Sequence, residues 1–129
     1  MTMVIKYMKK KHSDAIQSFT KAIAAKPDHA RAYFSRGLSF MKVNDSASAI
    51  KDLKKSLEID PTLDRAYFNL GIIYLSSKNY NEALKYFMLD MKMRPDNPDT
   101  NFKIGETYHD MNSLSNATTF YEKTLKADP

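Results

Sequence analysis

Gly37, Gly71 and Gly105, the three glycines of this 129-residue chain, stand 34 residues apart. Pro27, Pro61, Pro95 and Pro129 keep the same interval, and so do Ala15, Ala49, Ala83 and Ala117. Residues with special backbone or packing properties fall into such a register when one supersecondary unit is repeated and stacked. Any function then resides on the surface of the stack.

Each column has a physical reason. Glycine within a helix costs about 0.8–1 kcal/mol against alanine, so a repeated one must return something, and a missing Cβ lets a neighbouring helix approach closely. The alanines, twelve residues further on, are expected to supply the facing small surface. Apolar residues recur at helical spacing in three further columns: Phe40, Tyr74 and Tyr108; Phe19, Leu53, Phe87 and Tyr121; Ile23, Leu57, Met91 and Leu125. Proline ends each unit, because it disfavours helical backbone in the residue before it. Asp28, Thr62 and Asp96 follow as expected N-caps. The pattern predicts helices over 13–26, 29–42, 46–59, 63–76, 80–93, 97–110 and 114–127, an all-α fold.

These columns resemble the tetratricopeptide repeat over nearly the whole chain. The best copy runs Ala66-Tyr67-Phe68-Asn69-Leu70-Gly71-Ile72-Ile73-Tyr74, then Tyr80-Asn81-Glu82-Ala83-Leu84-Lys85-Tyr86-Phe87, and ends at Pro95. The resemblance implies a right-handed α-solenoid of antiparallel helix pairs, about three full repeats after one partial N-terminal repeat. As a single domain over 1–129, it divides into a partial repeat 1–29 and repeats 30–63, 64–97 and 98–129. Three positions depart from the family pattern. Asn101 replaces the aromatic held by Tyr33 and Tyr67, Arg36 stands where Leu70 and Ile104 are apolar, and Asp90 occupies a small-residue column.

The first unit is incomplete, with Met3 where the others have glycine and a solvated turn expected at Lys9-Lys10-Lys11. No capping helix follows Lys126-Ala127-Asp128-Pro129, although solenoids normally finish on a polar cap. Tyr121 and Leu125 are therefore expected to be uncovered, as in a segment of a longer array or one that docks end-on.

The chain has no cysteine, which fits a reducing, intracellular and cytoplasmic setting. No apolar stretch approaches the roughly 18–20 residues of a membrane span. The net charge of +5 is uneven: residues 1–29 carry six lysines against Asp14 and Asp28, residues 98–129 three lysines against five acids. Nucleic acid binding calls for a basic stripe with interleaved aromatics, whereas here the basic residues fall off along the chain, so it is not expected. Catalysis is not expected either, nor a cofactor or metal. His12, His29 and His109 sit at unrelated places in the repeat, Asp110 points away from His109 on its helix, and no metal-ligand spacing, phosphate loop or nucleophile elbow occurs. Asp90 is expected to reach a nearby cation or the edge of the stack.

What remains is surface recognition. The resemblance implies a concave groove lined by the first helix of each unit. The groove residues expected from it are Arg31, Phe34, Leu38 and Met41; Arg65, Phe68, Asn69, Ile72 and Leu75; and Phe102, Lys103 and Glu106, with His109 beyond them. The phenylalanines form an apolar ladder, and Phe68→Ala is expected to weaken partner binding with little loss of helicity. Such a groove suits an amphipathic helix or an extended segment with apolar anchors.

Two sharper family readings fail residue by residue. The carboxylate clamp of co-chaperones needs lysine, two asparagines, lysine and arginine where this chain has Phe34, Leu38, Asn69, Asp99 and Lys103. The asparagine ladder of O-linked N-acetylglucosamine transferase meets Ser35, Asn69 and Lys103. The sequence therefore points to a non-enzymatic scaffold or adaptor for a protein or peptide partner, supplied by a larger assembly or by the rest of a longer parent chain. The alternatives are a targeting segment of a larger enzyme, a co-chaperone-type adaptor without a full clamp, and self-association through uncapped ends.

Overall fold

The computed structural model describes residues 2–63 and 65–127. These form seven α-helices and no strand. Contacts divide the chain into two compact units that meet between Ala66 and Tyr67. The first holds α1 (Met3–Ala25), α2 (Ala30–Lys42) and α3 (Ser46–Ile59), with α2 packed on both neighbours. The second holds α4 (Ala66–Ser76), α5 (Tyr80–Met93), α6 (Pro98–Asp110) and α7 (Leu114–Ala127).

The prolines stop helices as the sequence predicts. Lys26, Asp60 and Arg94, each just before a proline, turn out of the helix at φ −142°, −134° and −136°, because the proline ring clashes with helical backbone there. Pro129 and Asp128 lie outside the described residues.

The caps sit one residue later than expected at two of three restarts. His29 Nδ1 accepts from the Ala32 amide at 3.2 Å, and Asn97 Oδ1 accepts from the Thr100 amide at 3.2 Å. Asp28 and Asp96 are therefore not the caps. Thr62 belongs to the preceding turn, where its amide and hydroxyl donate to Asp60 Oδ1 at 3.0 and 2.6 Å.

The turn inside each helix pair carries its own period. Asn44, Lys78 and Asn112, again 34 residues apart, adopt φ 63°, 61° and 62°. The next amides, Asp45, Asn79 and Ser113, donate back to the carbonyls of Phe40, Tyr74 and Tyr108 at 2.9, 2.9 and 2.8 Å. This is the Schellman closure, which satisfies carbonyls orphaned at a helix end.

Two expected boundaries are corrected. Lys9-Lys10-Lys11 form no turn: they lie within α1, one helix of 23 residues. Nothing between Met3 and Ala25 breaks a helix, since lysine and methionine are good helix formers and neither glycine nor proline intervenes. α4 starts at Ala66 rather than at 63, because Arg65 takes φ 68°, outside the helical region. Asp64, inside the expected span, is not among the described residues.

The glycine column works as a set of notches, filled by a different column from the one expected. A Cβ on Gly71 would lie 2.5 Å from the Phe87 ring, one on Gly105 would lie 2.7 Å from the Tyr121 ring, and one on Gly37 would lie 3.1 Å from Leu53 Cγ. The bulky side chain sixteen residues on enters each notch, while Ala49 and Ala117 contribute only carbonyl oxygens at 3.4 Å. Phe87 and Leu53 are wholly buried. Helix against helix at this separation is what the glycines return for their propensity cost.

Candidate functional site

In the first unit, α2 carries Arg31, Phe34, Leu38 and Met41. Arg31 is exposed and the three apolar side chains are half-buried. Asp60, after α3, is held below the usual carboxylate range by the Thr62 hydroxyl and amide, with a smaller contribution from the Arg31 charge. Arg65 is exposed and lies outside any helix.

In the second unit the phenylalanine ladder separates. Phe68 is only 5% exposed, tilted against Phe87 with ring centres 5.8 Å apart, in a cluster with Ala83 and Ile104. The expectation that Phe68 is a surface anchor is corrected: its ring is already spent on the core. Ile72 and Leu75 are half-buried against the same cluster, and Asn69 is half-buried beside them in sequence. Phe102, by contrast, is 43% exposed.

Phe102 is backed by Tyr121, whose ring centre lies 5.6 Å away on α7. Lys103 donates to Glu106 at 3.1 Å, so these two charges cancel next to the exposed ring. Burial, then the charges of Glu106 and Asp110, push the Tyr121 phenol above its ordinary range. Tyr121 was absent from the expected groove because its column mates Leu53 and Phe87 are pure core. Expected to be uncovered, Tyr121 is instead half-buried; a hydroxyl-bearing aromatic in the column of Phe19, Leu53 and Phe87 was the available signal.

The departures from the repeat pattern are engaged in polar networks. Arg36 donates to both Asp52 oxygens at 2.7 and 2.8 Å and to Thr20 Oγ1 at 3.2 Å, tying α2 to α3 and α1. Its guanidinium lies 5.6 Å from the Tyr33 ring centre and 5.9 Å from that of Phe40. The bond to Asp52 holds Arg36 above its ordinary pKa. Asp90, 2% exposed, accepts from Arg94 at 2.7 Å and from the Thr100 hydroxyl, so it does reach a cation. His109 and Asp110, expected to diverge, approach to 3.8 Å at the end of α6.

Among the described residues no cluster of three His, Cys, Asp or Glu side chains is placed to hold a metal ion. No described helix is long and apolar enough to cross a membrane.

Helix pairs repeating every 34 residues, each turned through one left-handed residue and notched at one glycine, define a helical-repeat protein. The tetratricopeptide repeat family matches at residues 30–63, 53–85 and 98–129, and this chain belongs to it. The fold is the all-α solenoid of that family. No match was found among curated protein sequences. Among solved structures, a crystal structure of MamA superposes with a TM-score of 0.87 at 22% identity, over 91% of this chain and 68% of that one. A second crystal structure of MamA gives 0.86 at 22% identity, over 91% and 64%. The segment of MamA from residue 41 to its end, from Desulfovibrio magneticus RS-1, gives 0.86 at 16% identity, over 98% and 75%. At these identities the likeness is one of fold.

Proposed function

We propose that this chain is a non-enzymatic scaffold that binds a peptide or helix of a partner protein on the first-helix faces of its repeats. The supporting observation is Phe102: a large ring held at the surface, backed by Tyr121 and flanked by the self-neutralised pair Lys103 and Glu106. An exposed aromatic with a rigid backing gives contact area without much entropy to lose, which is the profile of an interface anchor. In the first unit Phe34, Leu38 and Met41, edged by Arg31, offer the equivalent face. Ile72 and Leu75 contribute the accessible part of α4, with Asn69 and Arg65 as polar contacts. Phe68 supports this surface from within.

Affinity capture with quantitative mass spectrometry tests the reading, using wild type, Phe102→Ala and the control Lys51→Ala. A partner species retained by Lys51→Ala and weakened more than about fivefold by Phe102→Ala, or about 1 kcal/mol, is the expected result. Identical capture by all three proteins removes Phe102 from recognition and the proposal with it.

A further inference from the structure

We propose a second binding site, at the junction of α5, α6 and α7, for an acidic peptide segment bearing a bulky apolar side chain. It begins with a missing ring. In the preceding repeat Tyr67 stacks on Tyr86 with ring centres 6.3 Å apart. The counterpart of Tyr67 is Asn101, and the counterpart of Tyr86 is Phe120, which has the Lys123 ammonium 4.6 Å from its ring centre. The small amide leaves room, and beside it opens a cavity of about 750 Å³.

The lining of this cavity is chemically directed. Met91, Pro95 and Ala127 make it largely apolar, together with the methylene stems of its lysines. Lys92, Lys123 and Lys126 bring three cations against the single carboxylate of Asp96. Neither Lys92 nor Lys126 has an ion-pair partner among the described residues. Asn101 also lines the cavity and is 2% exposed; its Nδ2 donates to the Pro95 carbonyl at 3.3 Å, while its Oδ1 has no partner. A buried acceptor without a donor is costly, so this amide is a poorer occupant of its position than the tyrosine of the preceding repeat.

A peptide with acidic residues around an apolar one answers both the charge and the space. Its carboxylates meet the lysines, and its apolar side chain enters the space where the preceding repeat keeps a tyrosine. A bare anion offers no apolar body. This site shares no residue with the proposed face around Phe102.

The probe is a fluorescein-labelled pentapeptide with phenylalanine between paired glutamates, followed by anisotropy at low and at physiological salt. Wild type should bind it saturably, and more weakly as salt rises. Lys92→Glu combined with Lys126→Glu, both exposed positions, should weaken binding at least tenfold. Asn101→Tyr restores the residue of the other repeats, fills the cavity and should abolish binding with a melting temperature no lower than wild type. Phe102→Ala should leave the affinity unchanged, whatever it does to the first-helix face. Absence of saturable binding by wild type overturns the proposal. So does equal binding of a peptide with lysines in place of the glutamates, or binding undisturbed by the double charge reversal. Loss of binding in Phe102→Ala would move the peptide to the other face and overturn this site alone.

Discussion

Arg36 and Asp52 meet through two nitrogens and two oxygens at the two positions that hold Leu70 and Tyr86, then Ile104 and Phe120, in the following repeats. The guanidinium lies near Tyr33 and Phe40, much as the Tyr86 ring lies near Tyr67 and Tyr74, with centres 6.3 and 5.6 Å away. An ion pair with a buried carboxylate and a half-buried guanidinium thus stands at repeat positions that are otherwise apolar or aromatic. Asp52 has a side chain only 4% exposed, so it cannot turn to water if its partner is lost. Arg36→Leu should cost about 3–5 kcal/mol, since it leaves a buried carboxylate unpaired. Arg36→Leu with Asp52→Tyr installs the two residues of the next repeat and should recover most of that loss. Urea unfolding of both singles and the double gives the coupling directly. A double variant no more stable than Arg36→Leu would refute the equivalence of these positions in the two repeats.

The three glycine notches differ in depth, and alanine substitutions should reveal it. In Gly71→Ala the new methyl meets the ring of Phe87, which is wholly buried and has nowhere to go. Overpacking of this kind costs about 1–3 kcal/mol. In Gly37→Ala the nearest atoms are the end of Leu53 at 3.1 and 3.2 Å, and a gain of about 0.8–1 kcal/mol in helix propensity works in the opposite direction. That variant should be close to neutral. Gly105→Ala falls between, since the half-buried Tyr121 ring can swing outward and give up its contact with Phe102. Thermal melts of the three variants should rank Gly37, Gly105, Gly71 from mildest to worst.

Phe68 and Phe102 occupy one sequence column and should behave as opposites. Phe68→Ala empties a filled core position and should cost about 3–5 kcal/mol of stability. Phe102→Ala removes a ring that is 43% exposed and should cost less than half as much in the same denaturation experiment. Comparable losses would place Phe102 in the core and leave the second unit without its surface anchor.

That contrast marks the limit of what the sequence discloses. Glycine, proline and alanine at one interval fix helix number, helix ends and which columns face inward, because those residues act through the backbone and act alike in every copy. A column does not say how much covers each member. Ile104, from α6, joins the cluster around Phe68, whereas Phe102, with Tyr121 of α7 behind it, keeps 43% of its surface exposed. The left-handed turn residues were half-hidden for a similar reason: Asn44 and Asn112 suit positive φ, and Lys78 in the same column masks the pattern. Lys9-Lys10-Lys11 read as a turn only by extension of the register, against local propensities that favour the helix they form. Arg36 looked like an isolated departure because its partner Asp52 is recognised only once the helices are placed, whereas the cation reached by Asp90 is Arg94, four residues on.

Tyr121 gives the face around Phe102 a spectroscopic signature. Its phenol is raised above the usual value by burial first, then by Glu106 and Asp110. The folded state therefore holds the neutral phenol more tightly than the unfolded chain does. The associated stability is present below the free tyrosine pKa of about 10 and is lost as pH rises through the higher folded value. Absorbance titration of wild type minus Tyr121→Phe isolates this group from the other tyrosines, and its midpoint should lie above that of free tyrosine. Glu106→Gln removes one of the two negative charges and also frees the Lys103 ammonium. It should lower the midpoint without bringing it to the free value, since burial is the leading cause. In urea unfolding, the wild type should lose stability at alkaline pH more steeply than Tyr121→Phe. A Tyr121 that ionises at or below the free value would mean the ring is not packed against α6 as described, and Phe102 would lose its backing.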